Sequence, residues 1–145
     1  MCQFYNHRIT HTDDIVAYKV VERRSTYTKE PPVEYISIFM EKPYVIGETY
    51  TEEGFPQYTT PPDSPLEIEK GFFHCFSKWS DAESFCNYAN NKILNKRFVI
   101  IEVTLNNGPE ETIYAGQWEM NHFLVDSYAG TKMTINKVKI GRAHV

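Results

Sequence analysis

The stretch Phe98-Val99-Ile100-Ile101-Glu102-Val103-Thr104-Leu105 decides the fold. Five of its eight residues are β-branched, a side-chain shape that suits a pleated strand better than a helix. Its length is that of a strand, and Asn106-Asn107-Gly108-Pro109 follows it as a turn. The near-continuous apolar character implies burial on both faces, so other elements must cover this strand from two sides.

One cover lies just upstream. Ala82, Phe85, Cys86 and Ala89 recur at i, i+3, i+4 and i+7, which places them on one helical face. Ser80 followed by Glu83 has the form of a capping box, and Asn90-Asn91 closes the pattern. The expected helix spans about residues 81–91. The other candidate elements are strands. Ile15 to Arg23 alternates, with Val16, Tyr18 and Val20 on one face. In Val33 to Met40, Val33, Tyr35 and Ser37 oppose Ile36 and Ile38. Tyr44 to Tyr50 reads as one short strand with a bulge or bend at Gly47. Thr112 to Trp118 and Lys132 to Ile140 complete the set. In the last of these, Met133 and Ile135 are out of phase with Val138 and Ile140, which predicts a bulge. Residues 1–14 read as irregular, and 52–65 as a mobile proline-rich loop.

The expected architecture is a single α+β domain over residues 1–145, mostly antiparallel sheet with one principal helix. Composition agrees. Ile and Val total 22 against 4 Leu, and Thr and Tyr reach 12 and 10. The net charge of −4 disfavours coating duplex DNA or an anionic membrane. No apolar run approaches 18 residues, and no secretory signal pattern opens the chain. Three cysteines, Cys2, Cys75 and Cys86, form an odd and sparse set that suits free thiols in a reducing compartment. The expected location is cytoplasmic.

Catalytic signatures are scarce. None of the five histidines has Ser or Thr two positions later, and no phosphate loop, dinucleotide fingerprint, His-Glu-x-x-His or Cys-x-x-Cys occurs. Cys2, His7 and His11 lie close in sequence, but metal ligation needs convergence that this spacing does not supply. Nothing in the sequence calls for a metal or another cofactor. His74 precedes the helix at a strand–helix junction, a common place for ligands, whereas its neighbour Cys75 must point to the opposite face and reads as core. The aromatic load is high, at 21 residues. Phe55, Tyr58, Trp79, Trp118 and Phe123 fall near expected loops, and the cations Lys70, Lys78, Lys96, Arg97 and Lys132 lie among them. Rings that stack on bases, with cations to hold phosphate, suit a nucleotide.

The segments Tyr18-Lys19-Val20-Val21, Tyr44-Val45-Ile46-Gly47-Glu48-Thr49-Tyr50, Gly71-Phe72-Phe73-His74-Cys75-Phe76 and Asp81-Ala82 stand in order before the closing strands Phe98–Leu105 and Ser127–Ile140. This order is similar to small phage-encoded proteins of largely unassigned role, over about two-thirds of the chain. Some phage proteins of this size are anti-CBASS or anti-Thoeris sponges, which bind a host's cyclic nucleotide or cyclic ADP-ribose signal without cleaving it. The resemblance implies an infected bacterial cytoplasm, a homo-oligomer and an aromatic, basic pocket. A fainter likeness to ADP-ribosyltransferase folds sets Tyr18-Lys19 where those have an aromatic-Arg pair, with Glu119 as the only candidate for their glutamate.

The expected function is therefore non-catalytic sequestration of a cyclic nucleotide second messenger. The candidate ligand contacts are Tyr18, Lys19, Phe55, Tyr58, His74, Lys78, Trp79, Arg97 and Trp118, with loop 52–65 as a lid. The alternatives are a nucleotide-processing or ADP-ribose-transferring enzyme, in which His74 meets Glu102 or Glu119, and a protein–protein inhibitor or accessory factor.

Overall fold

A computed structural model describes residues 3–9, 13–25, 32–38, 41–53, 66–67, 71–120 and 123–139. These form strands β1 (Gln3–Arg8), β2 (Ile15–Ser25), β3 (Val33–Ser37), β4 (Pro43–Tyr44), β5 (Thr49–Thr51), β6 (Leu66–Glu67) and β7 (Phe73–Phe76), then helix α1 (Trp79–Lys92), then β8 (Arg97–Leu105), β9 (Ile113–Met120), β10 (Phe123–Gly130) and β11 (Lys132–Lys139). The architecture is α+β, as expected: a mostly antiparallel sheet with one described helix. The strand order is β5-β11-β8-β2-β7-β10-β9-β1-β6, and β3 and β4 extend from β2.

β8 holds the centre. It pairs with β2 over nine register positions, from Ile15↔Leu105 to Arg23↔Arg97, and with β11 on its other side. Both of its faces are buried, as its composition requires. Phe98 and Ile100 face α1, together with Val20, Phe76, Ala82, Cys86, Ala89 and Trp118. Ile101, Val103 and Leu105 face the other way into a larger cluster with Ala17, Val21, Phe73, Cys75, Ile113, Met133 and Ile135. Removing an Ile or Leu side chain of this kind from water contributes about 1.5–3 kcal/mol. We call these the helix face and the core face of the sheet. Gly130 closes the core face against β8, because a Cβ there would stand 3.0 Å from Leu105 Cδ2.

The helix buries Ala82, Cys86 and Ala89, as its periodicity predicts. Its ends differ from expectation. Lys78 is the N-cap and makes no side-chain cap bond, so Ser80 is already inside the first turn and the capping-box reading fails. Between β7 and the helix, the Ser77 N–H donates to the Asp126 carbonyl of β10 at 3.2 Å. The far end runs past Asn90 to Lys92.

Other corrections follow from long-range pairing. Part of residues 1–14 is strand β1, ordered by its ladder to β9 rather than by any alternation of its own. β10 begins well before Ser127 and pairs along its whole length with β9. Tyr44–Tyr50 is two strands, not one. Gly47 lies in the turn between them with φ of 92°, a left-handed backbone suited to glycine. The bulge in β11 falls between Ile135 and Lys137 as predicted. Tyr18 and Val20 lie on the helix face as expected, while Val16 extends beyond the helix and is 51% exposed. Most of the proline-rich segment 52–65 lies outside the described residues.

Candidate functional site

The feature that positions the candidate site is a split in the sheet. β2 and β7 share one register pair, Tyr18↔Phe76. Beyond it the strands diverge, and β3 takes over as partner of β2 from Val21 onward. At the point of divergence the Lys19 side chain bridges the gap, with Nζ donating to the His74 backbone carbonyl at 2.9 Å. An ammonium here substitutes for a ladder hydrogen bond.

Alternation through this pair sorts the candidate residues by face. Tyr18, His74, Phe76 and Trp118 share the helix face, and Trp79 at the start of α1 joins them. Tyr18 and Trp79 meet edge to face at 5.7 Å between centroids. Phe76 and Trp118 lie 5.2 Å apart, and the His74 ring is 6.0 Å from Trp118. Trp79, Tyr18 and His74 are half-buried, so part of each ring reaches the surface. Trp118 is only 7% exposed. It therefore lies inside strand β9 as core, not near a loop as a stacking platform. Between Trp118 and Phe76 the ladders place Gly116 and Ser127, two residues too small to hold the rings apart.

Lys78 borders this aromatic group and is 61% exposed at its side chain, with Nζ 2.9 Å from Asp126. The hydrogen bond and charge of Asp126 hold its pKa above the ordinary lysine value.

Two predicted contacts lie elsewhere. Lys19 is on the core face, spent on the His74 carbonyl. Burial lowers its amine below the usual lysine range, and the facing Cys75 offsets part of that. Arg97 is also on the core face, opposite Arg23 and five register steps from Glu102↔Tyr18. At the strand rise this is about 17 Å from Tyr18. Neither side chain can share a ligand with Tyr18 and Trp79 on the helix face. Phe55, Tyr58, Lys70, Cys2 and His11 lie outside the described residues, as do the side chains of His7 and Phe123. Lys96 meets Glu22 at 3.8 Å, and Lys132 sits in the β5–β11 ladder.

Of the carboxylates named for an enzyme, Glu102 is engaged by other side chains and Glu119 lies on the other face from His74. Glu102 is held by Asn136 Nδ2 at 3.2 Å and by Lys139 Nζ at 3.6 Å. Glu119 pairs in register with Leu124 on the face opposite His74. General acid–base chemistry needs hydrogen-bond reach, which this placement denies the His74–Glu119 pair. Among the described residues no group of three or more His, Cys, Asp or Glu is placed to hold a metal ion. No described helix is long and apolar enough to cross a membrane.

Cys75 and Cys86 are both buried free thiols, and burial pushes each pKa up to about 11. The native state therefore keeps protons that the unfolded chain releases above pH 9. Their contribution to stability is present below pH 9 and is lost as pH rises through 11. Lys19 acts in the opposite sense, because its lowered amine favours folding as pH rises towards 10.5. The expected result is that a Cys75→Ala, Cys86→Ala variant loses less stability between pH 9 and 11 than the parent chain, read from urea midpoints. An equal loss in both would remove the thiols from the account. At pH 8 the native thiols should also resist iodoacetamide, since little thiolate is present.

Asn90 is a residue that sequence reasoning assigned only to helix closure. Its side chain instead docks on β8: Oδ1 accepts the Phe98 N–H at 2.7 Å and Nδ2 donates to the Phe98 carbonyl at 3.0 Å. An Asn one turn after Cys86 on the same helical face was the available signal.

Compared with known protein families, curated proteins and solved structures, the chain matches none.

Proposed function

We propose that the protein binds and sequesters a cyclic nucleotide second messenger, of cyclic dinucleotide or cyclic ADP-ribose type, without cleaving it. The observation that carries this reading is the pair Tyr18 and Trp79: two half-buried rings, edge to face, at the point where the sheet splits. A base stacks on such a surface, and the neighbouring His74 and exposed Lys78 offer donors to a phosphate. Trp118 lies behind His74 and positions it. The resemblance to phage sponges supports a counter-defence role in a bacterial cytoplasm. It also supports a homo-oligomer, in which a second copy would enclose the open side of the ligand. Tight sequestration rests on that enclosure.

Titration calorimetry with a mixed adenine–guanine cyclic dinucleotide and with a cyclic ADP-ribose isomer tests the site. Loss of one base–aromatic stack costs about 1–3 kcal/mol. Trp79→Ala is therefore expected to weaken binding by about tenfold or more, and Trp79→Phe to restore part of it. Unchanged affinity in both Trp79→Ala and Tyr18→Ala would contradict the stacking role.

A further inference from the structure

Arg23 and Arg97 are direct cross-strand partners in the β2–β8 ladder, and Tyr35 of β3 stands opposite Arg23 in the next ladder. The three form one row on the core face, at the open end of the sheet. Paired side chains of this kind start about 5 Å apart at Cβ, and like charges directly opposite each other on one face are destabilising. Among the described residues no carboxylate pairs with either of them. Arg97 makes no ion pair among the described residues, and the one side-chain bond of Arg23 goes to the Ser25 hydroxyl at 3.4 Å. Several other cations are paired. Arg24, one residue along and on the other face, is bidentate to Glu22, with bonds of 3.2 and 3.1 Å. Lys96 shares that Glu22, while Lys42, Lys78 and Lys139 each have a carboxylate of their own. In a chain with net charge −4, two cross-strand arginines have no carboxylate partner among the described residues.

We propose that Arg23 and Arg97, with Tyr35 beside them, form a binding site for a phosphate-type dianion, either free phosphate or the terminal group of a phosphate monoester. Two planar guanidiniums offer several N–H donors in forked geometry, which matches a tetrahedral oxyanion. The bound dianion replaces their mutual repulsion with two attractions. The Ser25 hydroxyl supplies a further donor, and the Tyr35 ring gives an ester's organic part a surface to lie on. This site is on the face opposite Tyr18 and Trp79, so it stands or falls independently of the nucleotide reading above.

The test is a thermal melt of the full chain against increasing inorganic phosphate at constant ionic strength, balanced with chloride. The expected result is a saturable rise in Tm. Arg23→Gln and Arg97→Gln should each weaken the phosphate response at least tenfold in apparent Kd, while Arg24→Gln keeps it. Without phosphate, Arg97→Gln should melt no lower than the parent, because a repulsion has been removed. That result also shows that a lost response is not a lost fold. Adenosine monophosphate in a second arm separates the sources: tighter binding than phosphate assigns a monoester, and equal binding assigns the free ion. A rise that never saturates and is shared by every variant would overturn the proposal, as would a parent-like response in both Arg variants.

Discussion

Replacing Asn90 by alanine is expected to lower the unfolding free energy by about 2–4 kcal/mol. The cause lies at Phe98. This residue opens the buried part of β8 and is only 4% exposed. Among the described residues β11 pairs with β8 as far as Lys139↔Ile100, and none of its register pairs involves Phe98. The Asn90 amide takes the place of that strand by filling both the N–H and the carbonyl. Deleting it leaves the Phe98 N–H unsatisfied and the carbonyl with one weak partner, where a buried group left unpaired costs about 1–3 kcal/mol. The Cys86 thiol also donates to the Phe98 carbonyl at 3.3 Å, which keeps the total below the full sum. Urea unfolding of Asn90→Ala against Asn91→Ala checks the account, because Asn91 is exposed on the same helix and should change stability by less than about 0.5 kcal/mol. Equal effects at the two positions would reduce Asn90 to a helix-propensity residue.

Trp118→Ala is expected to cost still more, about 3–5 kcal/mol, as for other large aromatic truncations in cores. The indole is buried against Phe76 and lies across the positions of Gly116 and Ser127, so its removal leaves a void that no neighbouring side chain fills. It also takes away the ring beside His74. The two tryptophans therefore separate two roles. Trp118→Ala should lower Tm sharply, with its effect on ligand binding carried by the displaced His74. Trp79→Ala, at a half-buried position, should lose less stability and more affinity. If Trp118→Ala melts like the parent chain, the cluster beneath the site is not the core described here.

The elements legible in the sequence are those whose own residues carry a period. β8 is apolar on both faces, and α1 sets Ala82, Cys86 and Ala89 on one stripe. The bulge in β11 shows in the phase change between Ile135 and Val138. What was not legible depends on a partner far away in sequence. β1 is a strand because the edge of β9 pairs with it, and the residue before the helix N-cap, Ser77, is tied to Asp126 on β10. The same distinction governs the site. Tyr18 and His74 share a face, with Trp79 against Tyr18, because Tyr18↔Phe76 sets the register, and no local pattern encodes that pair. Lys19 and Arg97 were grouped with them by chemistry alone. Alternation places both on the opposite face, where Lys19 holds the split and Arg97 faces Arg23. The burial of Trp118 is likewise a consequence of small residues on two neighbouring strands.

The most direct test of the central claim is to mix the purified protein with cyclic dinucleotides and cyclic ADP-ribose isomers. Thermal stabilisation is followed first, and the heat-released ligand is then identified by mass spectrometry. A ligand that binds only the native state raises Tm by linkage. Sequestration predicts a large rise with one member and recovery of that ligand intact. Recovery of a chemically altered ligand would contradict sequestration and point to an enzyme. No rise with any member would contradict nucleotide binding itself and leave a protein partner as the reading to pursue.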